Sequence, residues 1–342
     1  MAAPALSLAI PSKGRLYEQA MHYLGDAGLA PKQATGTRDY RAAIAAEPGI
    51  EVKLMSSAEI AAALIAGDVH LGITGEDLIR ESTANLTSAV ALLQPLGFGF
   101  ADVVVAVPRA WIDVASMADL DDVCTAFHAR HRRRLKVATK YLSLTRNFFA
   151  AHGIADYRIV ESLGATEGAP AAGLAEAIVD ITTTGATLFA NDLKVLEDGI
   201  ILKSQAQLAA SLKASWGKAA LAGAERLTAR IAARELARNS YLLRAHLPRN
   251  AKALMAELAP LGCSVLSPAR AKDGQHTILC RRENLSGAVA ALRAKGVKGA
   301  LAAEPVDYVF GEDNPLMQRL TARIPSPLLG ERVRVRGRRR ER

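Results

Sequence analysis

Cysteine is scarce in this chain. Its three cysteines, Cys124, Cys263 and Cys280, form an odd and scattered set without CxxC or Cys/His spacing. That excludes a disulfide framework and a cysteine-based zinc site as organising features, and it predicts buried thiols in a reducing cytoplasm. No uninterrupted apolar run reaches membrane-spanning length. The opening MAAPALSLAIPSKGRL has no basic segment ahead of a long apolar core, so no secretory leader is expected. No GxGxxG opens a helix after the first strand. The Gly97-Phe98-Gly99 pair is too short and wrongly placed for one, which argues against a dinucleotide oxidoreductase. Walker loops, a Ser/His/Asp order, a metal-ligand cluster and internal repeats are also missing.

What is present is a globular composition. Half of the 342 residues are apolar and 23% are charged, enough for two or three domains with cores of their own. The net charge of +9 invites a nucleic-acid reading, but its location argues against one. Residues 331–342, ERVRVRGRRRER, carry seven arginines and two glutamates, more than half of the excess, after the breaker-rich Ile324-Pro325-Ser326-Pro327. The stretch 323–342 therefore reads as a disordered basic tail, with neither nucleic acid nor membrane as a dedicated partner. A second basic run, Arg130-His131-Arg132-Arg133-Arg134, could attract a polyanionic substrate but better suits a solvated helix end.

Strand and helix patterns alternate along the body. Leu6–Ile10 predicts a strand, followed by Pro11-Ser12-Lys13-Gly14 and a helix from about Arg15. Glu51–Met55 is a second strand. Ser56 and Glu59 then form a capping-box pattern ahead of the apolar helix Ile60–Ala66. Val69–Thr74 returns as a strand ending at Gly75-Glu76-Asp77. Val103–Val107 is almost wholly apolar, as a strand covered on both faces should be. Later strands are expected at Lys136–Thr139, Arg158–Val160, Ala177–Ile181 and Ile200–Leu202, with helices at Met117–Arg130, Ser143–Ala151 and Lys218–Arg238. This alternation predicts open α/β sheets with ligands at the carboxyl ends of strands. From Ser240 to about Ala303 the order becomes βαββαβ, the ferredoxin-like split pattern of a regulatory or association module.

The stretch Ala177–Leu188, AIVDITTTGATL, carries the most chemistry. A buried strand with one acid, Asp180, empties into Thr182, Thr183, Thr184, Gly185, Ala186 and Thr187 before a helix-like pattern resumes at Leu188. Unpaired amides and hydroxyls at such a turn can hold phosphate, and a helix dipole would favour the anion. Gly185 permits a backbone that side chains forbid. Taken alone, the threonines could equally just cap a helix.

Four blocks supply context: Ala9–Leu16 (AIPSKGRL), Leu71–Asp77 (LGITGED), Val137–Tyr141 (VATKY) and Glu167–Leu188 (EGAPAAGLAEAIVDITTTGATL). Together they resemble the ATP phosphoribosyltransferases of histidine biosynthesis, in the long form with a C-terminal regulatory domain. The resemblance implies a two-lobed fold like type II periplasmic binding proteins. Residues 1–108 with 195–239 would form lobe I and 109–194 lobe II, followed by a ferredoxin-like domain at 240–322. It implies transfer of phosphoribosyl from phosphoribosyl pyrophosphate to the adenine of ATP, with Mg2+ as cofactor and no confident direct protein ligand for it. Histidine as feedback inhibitor and a homo-oligomer, dimer to hexamer, also follow from the resemblance.

Carried onto this chain, Asp180 and Thr182, Thr183, Thr184, Gly185, Ala186, Thr187 and Leu188 would bind phosphoribosyl pyrophosphate. Lys13, Gly14, Arg15, Arg38, Glu76 and Lys140 would face ATP. Glu167, Asp180 and Lys13 would be the catalytic groups. The chain departs from the family at Leu142, where a proline is frequent, at Gly164-Ala165-Thr166, and at Gly168, where a larger residue is usual. Two other readings stay open: a type I phosphoribosyltransferase acting on a free base, although such loops pair two acids where Ile181 follows Asp180 here, and a non-catalytic bilobed solute-binding or regulatory module.

Overall fold

The computed structural model describes residues 6–33, 41–162, 164–247, 251–266 and 275–324. Arg38 and residues 325–342 of the expected tail lie outside them. The strands in chain order are β1 (Leu6–Pro11), β2 (Pro31–Gln33), β3 (Arg41–Ile44), β4 (Ile50–Met55), β5 (Leu71–Gly75) and β6 (Val90–Pro95). They continue with β7 (Asp102–Pro108), β8 (Leu135–Thr139), β9 (Tyr157–Glu161), β10 (Ala177–Thr182), β11 (Leu193–Leu202) and β12 (Ala206–Ser211). The last four are β13 (Ser240–His246), β14 (Ser264–Val265), β15 (Gln275–Arg281) and β16 (Ala302–Glu304).

Two sheets make up the first compact unit, which comprises residues 1–25, 30–223 and 319–342. The first runs β2-β3-β4-β1-β5-β12-β6, with β1 parallel to both β4 and β5. Every residue of β1 is buried, as expected for a central strand covered on both faces. The capping box forms as expected: Ser56 Oγ accepts from the Glu59 amide at 3.3 Å, and Glu59 Oε2 accepts from the Ser56 amide at 2.8 Å. The second sheet runs β11-β7-β10-β8-β9, with β8, β9 and β10 parallel and β7 antiparallel to its neighbours. Its core packs Val105, Val137, Tyr141, Phe149 and Val179 together, with the Cys124 thiol among them.

The chain crosses between these sheets twice, after β6 and after β11. Both β7 and β11 belong to the second sheet, so the crossings fall at 96–101 and 203–205 rather than at the expected 108 and 195. The reason is pairing: β7 is buried along Val103–Val107 and needs a neighbour on each side, which β10 and β11 supply. The two crossings run side by side. Ala101 donates to the Ser204 carbonyl at 3.0 Å, and Ala206 donates to that of Phe98 at 2.9 Å.

The second unit comprises residues 26–29 and 224–318. Its sheet, β14-β15-β13-β16, is antiparallel throughout. With helices Ala251–Leu258 and Leu285–Ala294 this is the ferredoxin-like βαββαβ order. Its core gathers Leu243, Leu254, Leu258, Ile278 and Leu292. The unit begins within the helix Lys218–Arg238 rather than at 240, and it recruits 26–29, where the Asp26 carbonyl accepts from the Tyr308 hydroxyl at 3.2 Å. Among the described residues no helix is long and apolar enough to cross a membrane.

Candidate active site

Each of the four sequence blocks spans the carboxyl terminus of a parallel strand, β1, β5, β8 or β10, where open α/β sheets place ligands. A cavity of about 590 Å³ opens there. Arg15, Leu16, Gly75 and Asp77 line it from the first lobe, residues 97–101 from a crossing, and Ile181 and Thr183 from the second lobe. Gly97 and Gly99 both adopt positive φ, +72° and +64°, which lets the crossing turn sharply along the cavity wall.

The threonine loop closes on itself. Thr182 Oγ1 accepts from the Gly185 amide at 2.8 Å, and Gly185 takes φ +76°. Thr183 Oγ1 donates to the Phe100 carbonyl at 3.0 Å, tying the loop to the crossing. Among the described residues the amides of Thr183, Thr184 and Thr187 meet no acceptor, so they can receive an anion. The helix that follows is only Ala186–Ala190. The expected dipole contribution therefore gives way to loop amides and hydroxyls, because a single turn sums few peptide dipoles. On its other side the loop borders a cavity of about 510 Å³ with Arg109, Phe189 and Lys194, where the Arg109 guanidinium lies 4.3 Å from the Phe189 ring centre.

Asp180 and its neighbours form the charged centre. Burial pushes the Asp180 carboxyl above its ordinary value. The Ile181 amide, at 2.8 Å from Oδ1, and the Lys140 ammonium oppose the rise, and Glu167 adds to it. The pairing of β8 with β10 sets Lys140 near Asp180, and the 3-10 turn that carries Glu167 packs on β10, so all three charges act on one region. Glu167 lies in a single 3-10 turn, Thr166–Gly168, set up by Ala165 at φ +50°. Lys140 Nζ sits 5.0 Å from the Tyr141 ring centre.

On the opposite lobe, Lys13, Gly14 and Arg15 are exposed at the start of the helix Gly14–Asp26, and of the three it is Arg15 that lines the cavity. Glu76 is less available than expected. Its Oε1 accepts from Arg80 at 2.7 Å and its Oε2 from Gln207 at 2.8 Å. Each oxygen already has one partner within the lobe.

Sequence reasoning missed a set of residues beside this site. Asp77 is buried, with Oδ2 accepting from the Tyr141 hydroxyl at 2.7 Å and Oδ1 from the Ser204 hydroxyl at 2.9 Å. Burial first, then the Asp77 charge, holds the Tyr141 phenol far above its ordinary range. Glu81 accepts from the amides of Ser143 and Leu144 at 2.8 and 3.0 Å. The signal was the acid-rich EDLIRE segment at a strand end, but its partners lie more than sixty residues away. Among the described residues no three of His, Cys, Asp and Glu gather as a metal-binding group.

Comparison with known proteins gives a consistent result. A family model described as HisG: ATP phosphoribosyltransferase matches residues 56–233. A protein of Nitrobacter winogradskyi named ATP phosphoribosyltransferase is 52% identical over 318 residues, covering 92% of this chain and 97% of its own. A namesake from Rhodopseudomonas palustris (strain BisB18) is 53% identical over 315 residues, covering 92% and 96%. Among solved structures, a chain of the ATP phosphoribosyl transferase (HisG:HisZ) complex from Thermotoga maritima is 25% identical, covers 66% of this chain and 97% of its own, and superposes with a TM-score of 0.49.

Proposed function

The chain belongs to the ATP phosphoribosyltransferase family, and on that premise we propose that the cavity between its two lobes is where ATP meets phosphoribosyl pyrophosphate. The enzyme transfers phosphoribosyl to ATP in histidine biosynthesis. A ring nitrogen of adenine bonds to the anomeric carbon of the donor. The bond from that carbon to pyrophosphate breaks, and its electron pair leaves with the pyrophosphate. Two polyanions must be held in line, so positioning and charge neutralisation dominate over covalent catalysis.

The observation that supports this reading is the pairing of β8 with β10, which sets Lys140 and Asp180 at adjoining strand ends before the self-closed threonine loop, with the 3-10 turn of Glu167 packed on β10. Thr182–Leu188 would hold the ribose 5-phosphate through free amides and hydroxyls. Asp180 would accept from ribose hydroxyls or from a water on the metal, with Glu167 alongside. Lys140 would offset negative charge gathered at the loop. Across the cavity, Arg15 would neutralise triphosphate or pyrophosphate, and Lys13 would extend that basic edge. Arg38 is proposed as a further phosphate contact, and Glu76 as a group that orients Arg80 and Gln207 rather than substrate.

Mg2+ is the proposed cofactor. Two neighbouring carboxylates suit an ion carried mainly by substrate phosphates, with Asp180 and Glu167 meeting its waters. When bound, it supplies neutralisation of the departing pyrophosphate. The ferredoxin-like unit is the proposed seat of histidine feedback, in a cytoplasmic homo-oligomer of dimers to hexamers.

The test is pyrophosphate release with ATP and phosphoribosyl pyrophosphate, with and without Mg2+ and histidine, beside Asp180→Asn. Dependence on ATP, and loss of turnover in the folded variant, is the expected result. Turnover with a free base but not ATP would replace this reading, and normal turnover by the variant would remove Asp180 from the site.

A further inference from the structure

One helix of the first lobe grips one turn of the second at two points. Asp77 and Glu81 are four residues apart on the helix Glu76–Ser82 and so share a face. Asp77 Oδ2 receives the Tyr141 hydroxyl at 2.7 Å, and the Glu81 carboxylate receives the amides of Ser143 and Leu144 at 2.8 and 3.0 Å. Those amides belong to the first turn of the helix Leu142–Ala151. Its N-cap residue, Tyr141, makes no side-chain capping bond of its own. The first amides of a helix have no partner within it. Here the missing cap comes from the other lobe.

We propose that Asp77 and Glu81 are positioning residues, which fasten the Tyr141–Leu144 turn across the cleft and so fix Lys140 and Asp180 against the ATP side. Lys140 is held on both flanks. Thr139 Oγ1 accepts from the Tyr141 amide at 2.9 Å, and the Tyr141 carbonyl accepts from Thr145 at 3.0 Å. The Tyr141 ring is 1% exposed, so its hydroxyl is committed to Asp77 rather than to a ligand. Asp77 is tied in turn to the second crossing: the Ser204 hydroxyl donates to its Oδ1 at 2.9 Å and accepts from its amide at 3.0 Å. One buried carboxylate thus joins the first lobe, a crossing segment and the turn that carries Lys140. Neither Asp77 nor Glu81 need touch substrate for this role.

The inference rests on the proposed reaction, and its consequence is a split between binding and turnover. In the proposed reaction the ribose and 5-phosphate of phosphoribosyl pyrophosphate would be held by the second-lobe loop, so loosening the latch should largely spare its affinity. Alignment of the two substrates needs both lobes, so turnover falls. For Glu81→Ala the expectation is roughly tenfold faster amide exchange at Ser143 and Leu144. With it should come a kcat about tenfold lower, and a calorimetric Kd for phosphoribosyl pyrophosphate within about twofold of the unaltered protein. Glu81→Gln keeps one acceptor oxygen and should recover part of both losses. Tyr141→Phe removes a single oxygen while retaining the packed ring, and should lower kcat in the same way if Glu81→Ala does not fold. Unchanged exchange in Glu81→Ala would overturn the cap. Faster exchange with unchanged kcat in both variants would overturn the positioning role. Failure of the proposed reaction itself would appear instead in the unaltered protein, as no pyrophosphate release, with the exchange experiment still deciding the latch.

Discussion

Lys140 and Asp180 stand side by side because two parallel strands bring them there. Thr139 pairs with Val179 across β8 and β10; Asp180 is the next residue of β10, and Lys140 is the first residue beyond the end of β8. Half-burial then raises the Asp180 carboxyl, Lys140 pulls it back, and burial remains the larger influence. The same placement that makes the acid useful therefore makes it costly. A raised carboxyl means that the folded protein binds this proton more tightly than the unfolded chain does. Stability from Asp180 is accordingly full below the ordinary carboxylate value and falls as pH rises through the raised folded value.

Asp180→Asn should therefore be more stable than the unaltered protein at neutral pH and less active. The variant's advantage in thermal midpoint should shrink as pH falls toward the ordinary carboxylate range, about 3.9. Loss of ribose or metal-water orientation should lower kcat by about 10²-fold. Thermal melts across pH, with turnover at pH 7, check both halves. A variant that is destabilised at neutral pH would contradict the burial argument.

Gly185 separates backbone strain from space. It sits at φ +76°, yet a Cβ there would meet nothing within 4 Å. Gly185→Ala should cost about 1 kcal/mol from the left-handed backbone alone. Asn tolerates that conformation, so Gly185→Asn should restore most of the stability. If the open space is where phosphate approaches, KM for phosphoribosyl pyrophosphate should stay raised about tenfold in both variants. Urea melts and initial rates distinguish the two effects. Recovery of stability and KM together in Gly185→Asn would mean that strain is the whole story.

His70 predicts acid sensitivity in the first lobe. Its Nδ1 accepts from the Ser7 amide at 3.2 Å, and that amide hydrogen is fixed, so the ring is neutral with its proton on Nε2, donating to the Ser215 carbonyl at 3.0 Å. Burial lowers its pKa, the Ser215 carbonyl raises it, and Lys53 lowers it further. A depressed folded value gives stability that is present above the ordinary imidazole value, about 6.5, and is lost as pH falls through the folded value. The thermal midpoint should drop between about pH 7.5 and pH 5. His70→Asn keeps an acceptor for the Ser7 amide and should flatten that drop.

Legibility followed the range of the physical interactions. The Ser56–Glu59 capping box, the buried strand at Val103–Val107 and the βαββαβ order were readable because each rests on local spacing. The threonine loop and its acid were readable for the same reason. The short strands β2 and β3 carry too little apolar pattern to announce themselves. The sheet to which β7 belongs depends on its pairing with β10 and β11, both distant in sequence. Glu76 and Asp77 read alike as strand-end acids. Only the fold gives the first to Arg80 and Gln207 and the second to Tyr141 and Ser204.

Leu142 turns a departure from the family pattern into a test of the helix start. It is the first residue of the helix Leu142–Ala151, while the Glu81 carboxylate serves the next two amides, Ser143 and Leu144. A proline at this position lacks only an N–H that has no partner within the helix, and its fixed φ suits the first turn. Proline also restricts the residue before it to non-helical backbone, and Tyr141 already has φ −99° and ψ 71°. Leu142→Pro should therefore fold, retain turnover and gain about 0.4–1 kcal/mol by restricting the unfolded chain. The same substitution one turn later, Thr145→Pro, would remove the bond from the Thr145 amide to the Tyr141 carbonyl and should cost about 3 kcal/mol or more. Chemical denaturation of the two variants measures the contrast directly. A Leu142→Pro variant as damaged as Thr145→Pro would show that the helix begins earlier than Leu142.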